Sequence, residues 1–350
     1  MTLCADAQMW RDALLAAHRS SARPEITLME VCGTHTHAIA EHALRKLLPA
    51  GVRLISGPGC PVCVSGASWI ETVRHLCRRD VTVALFGDLL RIPGDGRTLR
   101  GERNLLTVYS PEDALELALA EPGREVVFAA VGFEPTLSAA AALLARLEAC
   151  RAPNFTLLAD FKRLRPVLDM LSASGRIDGF LLPGHVASIV GKNGFAGLGT
   201  PGVIAGFRPE NILRGIELLL AAAARGDRDY LFNNYPEAVR DAGNRTALEL
   251  ARRYFEPGDS VWRGLGAVAG GGWKLRAEWR NFDAAERFAL PEISVPEPAG
   301  CSCGAVLTGR IAPGDCPLFG GSCTPEHPVG ACMASVEGAC AAAWRFREVA

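Results

Sequence analysis

The sequence predicts an α/β protein built on parallel sheets, followed by a cysteine-rich C-terminal segment. Three observations lead there. Short apolar runs alternate with helix-like stretches from residue 26 to about residue 206, the pattern of βαβ units and so of parallel strands. Polar motifs stand directly after five of those runs, at the strand ends where open parallel sheets bind ligands. The last fifty residues hold six of the twelve cysteines, Cys301, Cys303, Cys316, Cys323, Cys332 and Cys340, among prolines and glycines and with too few large apolar side chains to close a core. Such a segment needs a cross-link: disulfides, zinc or an iron–sulfur cluster.

Taken in order, residues 1–24 open with an amphipathic helix; Asp6, Asp12 and an arginine interrupt its apolar part, unlike a secretory leader. Residues 26–31 (ITLMEV) read as a buried strand, followed by CGTHTH and a helix from Ala38 to Leu48 that stops at Pro49. Residues 52–56 are a second strand leading into GPGCPVC, and the next helix sets Ile70, Val73, Leu76 and Cys77 on one face. Residues 81–86 form a strand ending in Gly87-Asp88, and the acidic stretch 110–125 a helix and turn between two α/β units. Residues 126–131 lead into GFEPT and a helix to about Ala149; 155–159, 177–182 and 202–206 are further strands, the second followed by PGHV. From Asp227 the pattern breaks up around Trp262, Trp273 and Trp279, and the proline-rich 291–298 leads into the cysteines. The expected units are 1–24, 25–120, 121–226 and 227–350.

Net charge is −1, with no basic run, which argues against nucleic acid. The longest apolar stretches, such as Ile216–Ala224, fall short of the ~20 residues that span a bilayer. The expected compartment is the cytoplasm, where clustered cysteines are more often metal-binding or catalytic than structural disulfides.

Cys60-Pro-Val-Cys63 follows a strand and opens a helix, where N–H groups and the helix dipole lower a thiol pKa. Redox or transient metal work suits it better than structural zinc, because no second C-x-x-C completes a tetrahedral site. Cys32, His35 and His37 bring one soft thiolate and two imidazoles within six residues, although a buried cysteine beside capping residues is the plain alternative. Asp88 and Glu134 read equally as helix caps, and His185 as a satisfied buried histidine. Cys4, Cys77 and Cys150 read as small buried residues. The wide, uneven spacing of the C-terminal cysteines leans toward iron–sulfur, with zinc left open.

Taken together, EVCGTHTHAI (30–39), GPGCPVCV (57–64), FGD (86–88), RIPG (91–94), YSPEDAL (109–115), VGFEPT (131–136), PGHVASIVG (183–191), WRGLG (262–266) and the tail from Cys303 to Arg347 resemble the HypD family of nickel–iron hydrogenase maturation factors. The resemblance implies two Rossmann-like parallel-sheet domains plus a C-terminal iron–sulfur domain. It implies a scaffold and redox role in assembling the Fe(CN)2CO unit of the hydrogenase. The implied partners are a HypC-type chaperone, HypE and, through the chaperone, the hydrogenase large-subunit precursor. It implies iron at Cys32, a redox pair at Cys60 and Cys63, and a 4Fe–4S cluster on Cys303, Cys316, Cys323 and Cys340, leaving out Cys301 and Cys332. His35, Asp88, Glu134 and His185 complete the expected site. Two departures stand out: Pro135 where the family usually has threonine, and Arg208 where it often has glutamate. The competing readings are a cluster-linked protein disulfide reductase and a structural zinc protein.

Overall fold

The computed structural model describes residues 3–346 apart from residue 22, with side chains from Asp6 onward. The Cys4 thiol and Arg347 lie outside the described residues. The strands are β1 (Ile26–Glu30), β2 (Val52–Ser56), β3 (Thr82–Phe86), β4 (Leu105–Val108), β5 (Val126–Gly132), β6 (Phe155–Lys162), β7 (Gly179–Pro183), β8 (Gly202–Ala205), β9 (Leu231–Asn234), β10 (Phe255–Trp262) and β11 (Gly266–Leu275). The helices are α1 (Leu3–Arg19), α2 (Gly33–Glu41), α3 (Pro61–Val64), α4 (Ala67–Cys77), α5 (Pro111–Ala120), α6 (Glu134–Cys150), α7 (Leu164–Ala173), α8 (Gly184–Val190), α9 (Pro209–Arg225), α10 (Arg245–Tyr254), α11 (Ala284–Arg287), α12 (Cys303–Leu307), α13 (Ala331–Ala334) and α14 (Ala339–Arg345).

Two sheets result. The first runs β2-β1-β7-β8-β9, all parallel. The second runs β10-β11-β6-β5-β3-β4, its β3–β6 strands parallel and its β10–β11 hairpin antiparallel. Helices cover both faces of the sheets, so central strands such as β5, β7 and β8 are unbroken apolar runs; every residue of β5 is buried. On one side of the first sheet, Ile212, Leu213, Ile216 and Leu219 of α9 pack with Leu14 of α1 over Ile26, Leu28 and Leu181. The acidic stretch forms the expected helix, α5, which starts on a capping box of Ser110 with Asp113.

The sheets do not follow the contiguous units expected from the sequence. The chain lays down β1 and β2, crosses to build β3–β6, returns for β7–β9, and crosses again for the hairpin. Sequence periodicity reports which elements form, not which sheet each joins. The stretch after Asp227 is likewise regular: β9 completes the first sheet, and β10–β11 extend the second. Glycine in β11 (GAVAGGGWKL) hides the strand pattern, since glycine has no side chain to alternate. Trp262 is fully buried there and donates from Nε1 to the Gly271 carbonyl at 2.8 Å. The first helix after β1 begins at Gly33 rather than Ala38 and ends at Glu41, because Ala43 turns left-handed (φ 50°) before a short 3-10 turn. Cys77 is buried as expected; Cys150, at the end of α6, is exposed.

Candidate functional site

The carboxyl ends of β1, β2, β7 and β8 lie side by side, so the loops after them meet. β1 ends in Glu30, fully buried at the close of an apolar strand. Its carboxyl accepts from Thr36 Oγ1 (2.6 Å) and from the Cys32 backbone N–H (3.2 Å), and burial raises its pKa against the pull of Ser56, Thr36 and Arg45. That network fixes the loop in which Cys32, in extended conformation, starts α2. The Gly33 N–H donates to the Gly59 carbonyl at 3.1 Å and ties this loop to the one after β2. Gly59 has no room for a Cβ, which would strike the Cys32 backbone. Cys32 and the C-x-x-C motif are therefore one site.

Cys60 starts α3 with Pro61 in its first turn, and Cys60 and Cys63 form a disulfide with Cα atoms 5.2 Å apart. Both are buried, as is Cys32, at 5% exposure. Burial first, then the charges of Glu30 and Glu337, push the Cys32 thiol up to about 12. Without a cation, Cys32 stays a thiol at neutral pH. In the isolated protein, iodoacetamide should label exposed Cys150 well before Cys32, as peptide mass mapping over time would show. Equal rates would contradict the burial of Cys32.

His35 is fully buried, and burial lowers its pKa to about 4. Its Nε2 lies 3.0 Å from the Gly206 carbonyl, an acceptor only, so Nε2 carries the proton; Nδ1 is buried with no protein partner. His35 and His185 both pack on Phe207, with ring centroids 5.1 and 4.1 Å away, and Tyr235 meets Phe207 edge-on. His185 is exposed rather than a buried core histidine. His37 is half-buried against Phe346.

Asp88 and Glu134 stand on the other sheet. They follow β3 and β5 of the second sheet: Asp88 is exposed, and Glu134 is buried under α7. Burial raises Glu134 to about 7, opposed by backbone N–H groups, Arg163 and Trp273. Pro135 occupies the first turn of α6, where a missing N–H breaks no helical bond. Arg208 precedes α9 and is exposed.

The C-terminal segment lies directly on the thiol site. Ser335 Oγ stands 3.4 Å from Cys60 Sγ, and Glu337 reaches Thr34 Oγ1 at 3.1 Å. A Cβ at Gly33 would collide with Glu337, so the close approach requires glycine there. Glu30, Ser335, Glu337 and Phe207 were not foreseen; only Glu30, a lone carboxylate ending an apolar run, left a trace in the sequence. Cys303, Cys316, Cys323, Cys332 and Cys340 are buried and carry no disulfide. Cys332, set aside in the sequence reading, lies between Cys303 and Cys340, its Sγ 3.2 Å from that of Cys340. Within the C-x-C pair, Cys303 interacts chiefly with Cys332, whereas Cys301 feels Cys316 and Cys323. Among the described residues, no three His, Cys, Asp or Glu side chains converge closely enough for a single metal ion. A cubane holds its thiolates farther apart than one ion does, and buried, unpaired thiols are the donors it needs.

Fold and site together define a two-sheet α/β protein with a buried thiol–disulfide centre under a cysteine-rich cap. The HypD pattern, described as the hydrogenase formation hypA family, matches residues 8–347. The chain is 39% identical to the hydrogenase maturation factor HypD of Cupriavidus necator over 360 residues, covering 96% of this chain and 95% of that one. It is 38% identical to HypD of Rhodobacter capsulatus (93% and 91% covered) and 39% identical to the hydrogenase expression/formation protein HupD of Azotobacter chroococcum (95% and 92%). The chain belongs to the HypD family of hydrogenase maturation factors. Among its described residues, no helix is long and apolar enough to cross a membrane.

Proposed function

We propose that the protein is a cytoplasmic scaffold and redox partner in assembling the Fe(CN)2CO unit of a nickel–iron hydrogenase, working with a HypC-type chaperone and HypE. The observation that carries this reading is the seating of the cysteine-rich cap on the Cys32 and Cys60–Cys63 loops, through Ser335 and Glu337. Cys32 is the soft donor for the iron cargo, with a cysteine of the chaperone as its counterpart. Its thiol proton leaves when iron binds, because a cation reverses the effect of burial. Neutral His35, whose Nδ1 has no hydrogen-bond partner, can accept that proton, as can the Glu30 and Glu337 carboxylates whose charges act on the thiol. A 4Fe–4S cluster, when bound, supplies single electrons. Two electrons and two protons open the Cys60–Cys63 bond to a dithiol, and reoxidation returns the electron pair to the iron site.

The cluster ligands are Cys316, Cys323 and Cys340, with the fourth drawn from the Cys301/Cys303 pair. We take Cys301 as that ligand, because it interacts with Cys316 and Cys323 as well as with Cys303, whereas Cys303 interacts chiefly with Cys332. Protein purified without oxygen should be brown, with four iron and four sulfide per chain as the cluster's stoichiometry requires. Cys316→Ala, Cys323→Ala and Cys301→Ala should lose most of the visible absorbance, while Cys303→Ala keeps it. Full retention in Cys316→Ala would remove the cluster from this segment, and loss in Cys303→Ala alone would exchange the pair. A reductase acting on protein disulfides is disfavoured, because the Cys60–Cys63 bond is buried beyond the reach of another protein.

A further inference from the structure

A second cleft opens at the carboxyl ends of β5 and β6, away from the cysteines. It is a cavity of about 210 Å³ between the start of α6, the start of α7, α8 and α10, with Trp273 of β11 in its wall. Leu137, Leu164, Val186 and Phe195 give it an apolar lining. Its polar groups are few and unusual.

Glu134, at 4% exposure, lines the cavity, and its Oε2 has no hydrogen-bond partner. Trp273 Nε1 is also buried without a partner in good hydrogen-bond geometry, with the Glu134 carboxyl as a polar neighbour that it helps to hold ionised. A buried donor and a buried acceptor left unmade each cost stability, so a pair of them around one space points to a missing third party. Arg163 lies over the Trp273 ring, its guanidinium 5.6 Å from the centroid, and Arg252 stands at the mouth. Arg165, also in the wall, is already engaged by Asp169 and by the carbonyls of Gly194, Ala196 and Gly197.

One carboxylate, one indole N–H and two cations beside an apolar chamber ask for a particular ligand. It must donate to Glu134, accept from Trp273 and Arg163, and fill the chamber with hydrocarbon. We propose that this cleft binds a small amphiphilic acid whose carboxylate stands beside a nitrogen donor: the head group of an apolar α-amino acid or of a peptide C-terminus. The nitrogen donates to Glu134 Oε2. The carboxylate takes the Trp273 N–H and the Arg163 guanidinium, the charge-assisted pairing that guanidinium favours. The side chain lies against Leu137, Leu164, Val186 and Phe195. A fixed pair of opposite charges at one end of an apolar pocket is how few polar groups give orientation in small-ligand sites. The inference rests on this cleft alone and not on the maturation reading.

The probes are L-leucine, N-acetyl-L-leucine, isovalerate (no nitrogen) and isoamylamine (no carboxylate). Each is titrated into the intact wild-type protein by calorimetry, with tryptophan emission followed in parallel. Saturable binding of L-leucine or N-acetyl-L-leucine is expected, with isovalerate and isoamylamine at least about tenfold weaker, since each leaves a buried polar group unpaired. Tighter binding of L-leucine assigns a free amino acid, and tighter binding of the acetylated form a chain terminus. Glu134→Gln and Arg163→Met should each weaken the better ligand by about tenfold or more, and Trp273→Phe should abolish the emission change. The proposal is overturned if neither leucine form saturates the wild type by roughly 20 mM, weaker than any specific site would be. It is equally overturned if both bind but Glu134→Gln and Arg163→Met leave that binding unchanged.

Discussion

Cys32→Ala is expected to fold, to keep whatever cluster the C-terminal segment holds, and to fail to support hydrogenase maturation. The physical case separates stability from chemistry. Removing one buried sulfur costs about 1 kcal/mol, since it deletes a single heavy atom from a well-packed loop. The loop is held by other atoms: Glu30 with Thr36 and the Cys32 N–H, and the Gly33–Gly59 bond, all of which alanine keeps. What alanine removes is the one thiolate that the CGTHTH loop can offer. Serine fits the space, but its hydroxyl is a hard, far less acidic donor, so Cys32→Ser should fail too. Neither variant's complex with the HypC-type chaperone should show the infrared bands of iron-bound cyanide and carbon monoxide. Persistence of those bands in Cys32→Ala, with active hydrogenase, would place the iron on other residues.

Much of this arrangement was legible before any coordinates. The motifs after β1, β2 and β7 read as strand-end loops, and strand ends of one parallel sheet share an edge. What the chain did not announce was which sheet each strand would join. Glu134 and Asp88 carry the same strand-end signature as Cys32, yet β3 and β5 belong to the second sheet, so both stand at a different sheet edge from Cys32. Pairing between β1 and β7 joins residues some 150 positions apart, and no local pattern encodes it. Glu337 and Ser335 were invisible for a related reason. They act through contacts with Thr34 and Cys60 some 300 and 275 residues away, and in sequence they are ordinary polar residues of a short-helix segment. The state of the Cys32 thiol was also not legible: the sequence offered a soft thiolate or a plain buried cysteine, and it is the sealing of the loop by Gly59 and Glu337 that lets desolvation dominate.

Two buried titratable groups act on stability with opposite signs over nearly the same pH range, so each shows only when the other is compared out. His35 has its pKa lowered to about 4 by burial. Above pH 6.5 neither the folded nor the unfolded chain protonates it, and nothing is lost. As pH falls from 6.5 toward 4 the unfolded chain gains a proton that the folded chain refuses, and roughly 3 kcal/mol of stability drains away. Glu134 runs the other way, raised by burial to about 7. Below pH 4.5 both states hold its proton. Between 4.5 and 7 the unfolded chain releases it while the folded chain keeps it, and stability falls by roughly 3 kcal/mol as pH rises. Glu134→Gln should therefore match the wild type near pH 4.5 and exceed it by up to roughly 3 kcal/mol at pH 7.5, read from denaturant melts across that range. The stability of His35→Gln relative to the wild type should fall by roughly 3 kcal/mol as pH rises from 4 to 6.5, its packing cost cancelling because only the change with pH is compared. A Glu134→Gln difference that stays constant with pH would mean the carboxyl is not desolvated as its burial implies. The same variant should gain stability at neutral pH and lose the ligand in the second cleft. An ionisable group held in a dry pocket with one oxygen unpaired weakens the empty fold, and it is retained where a ligand completes it.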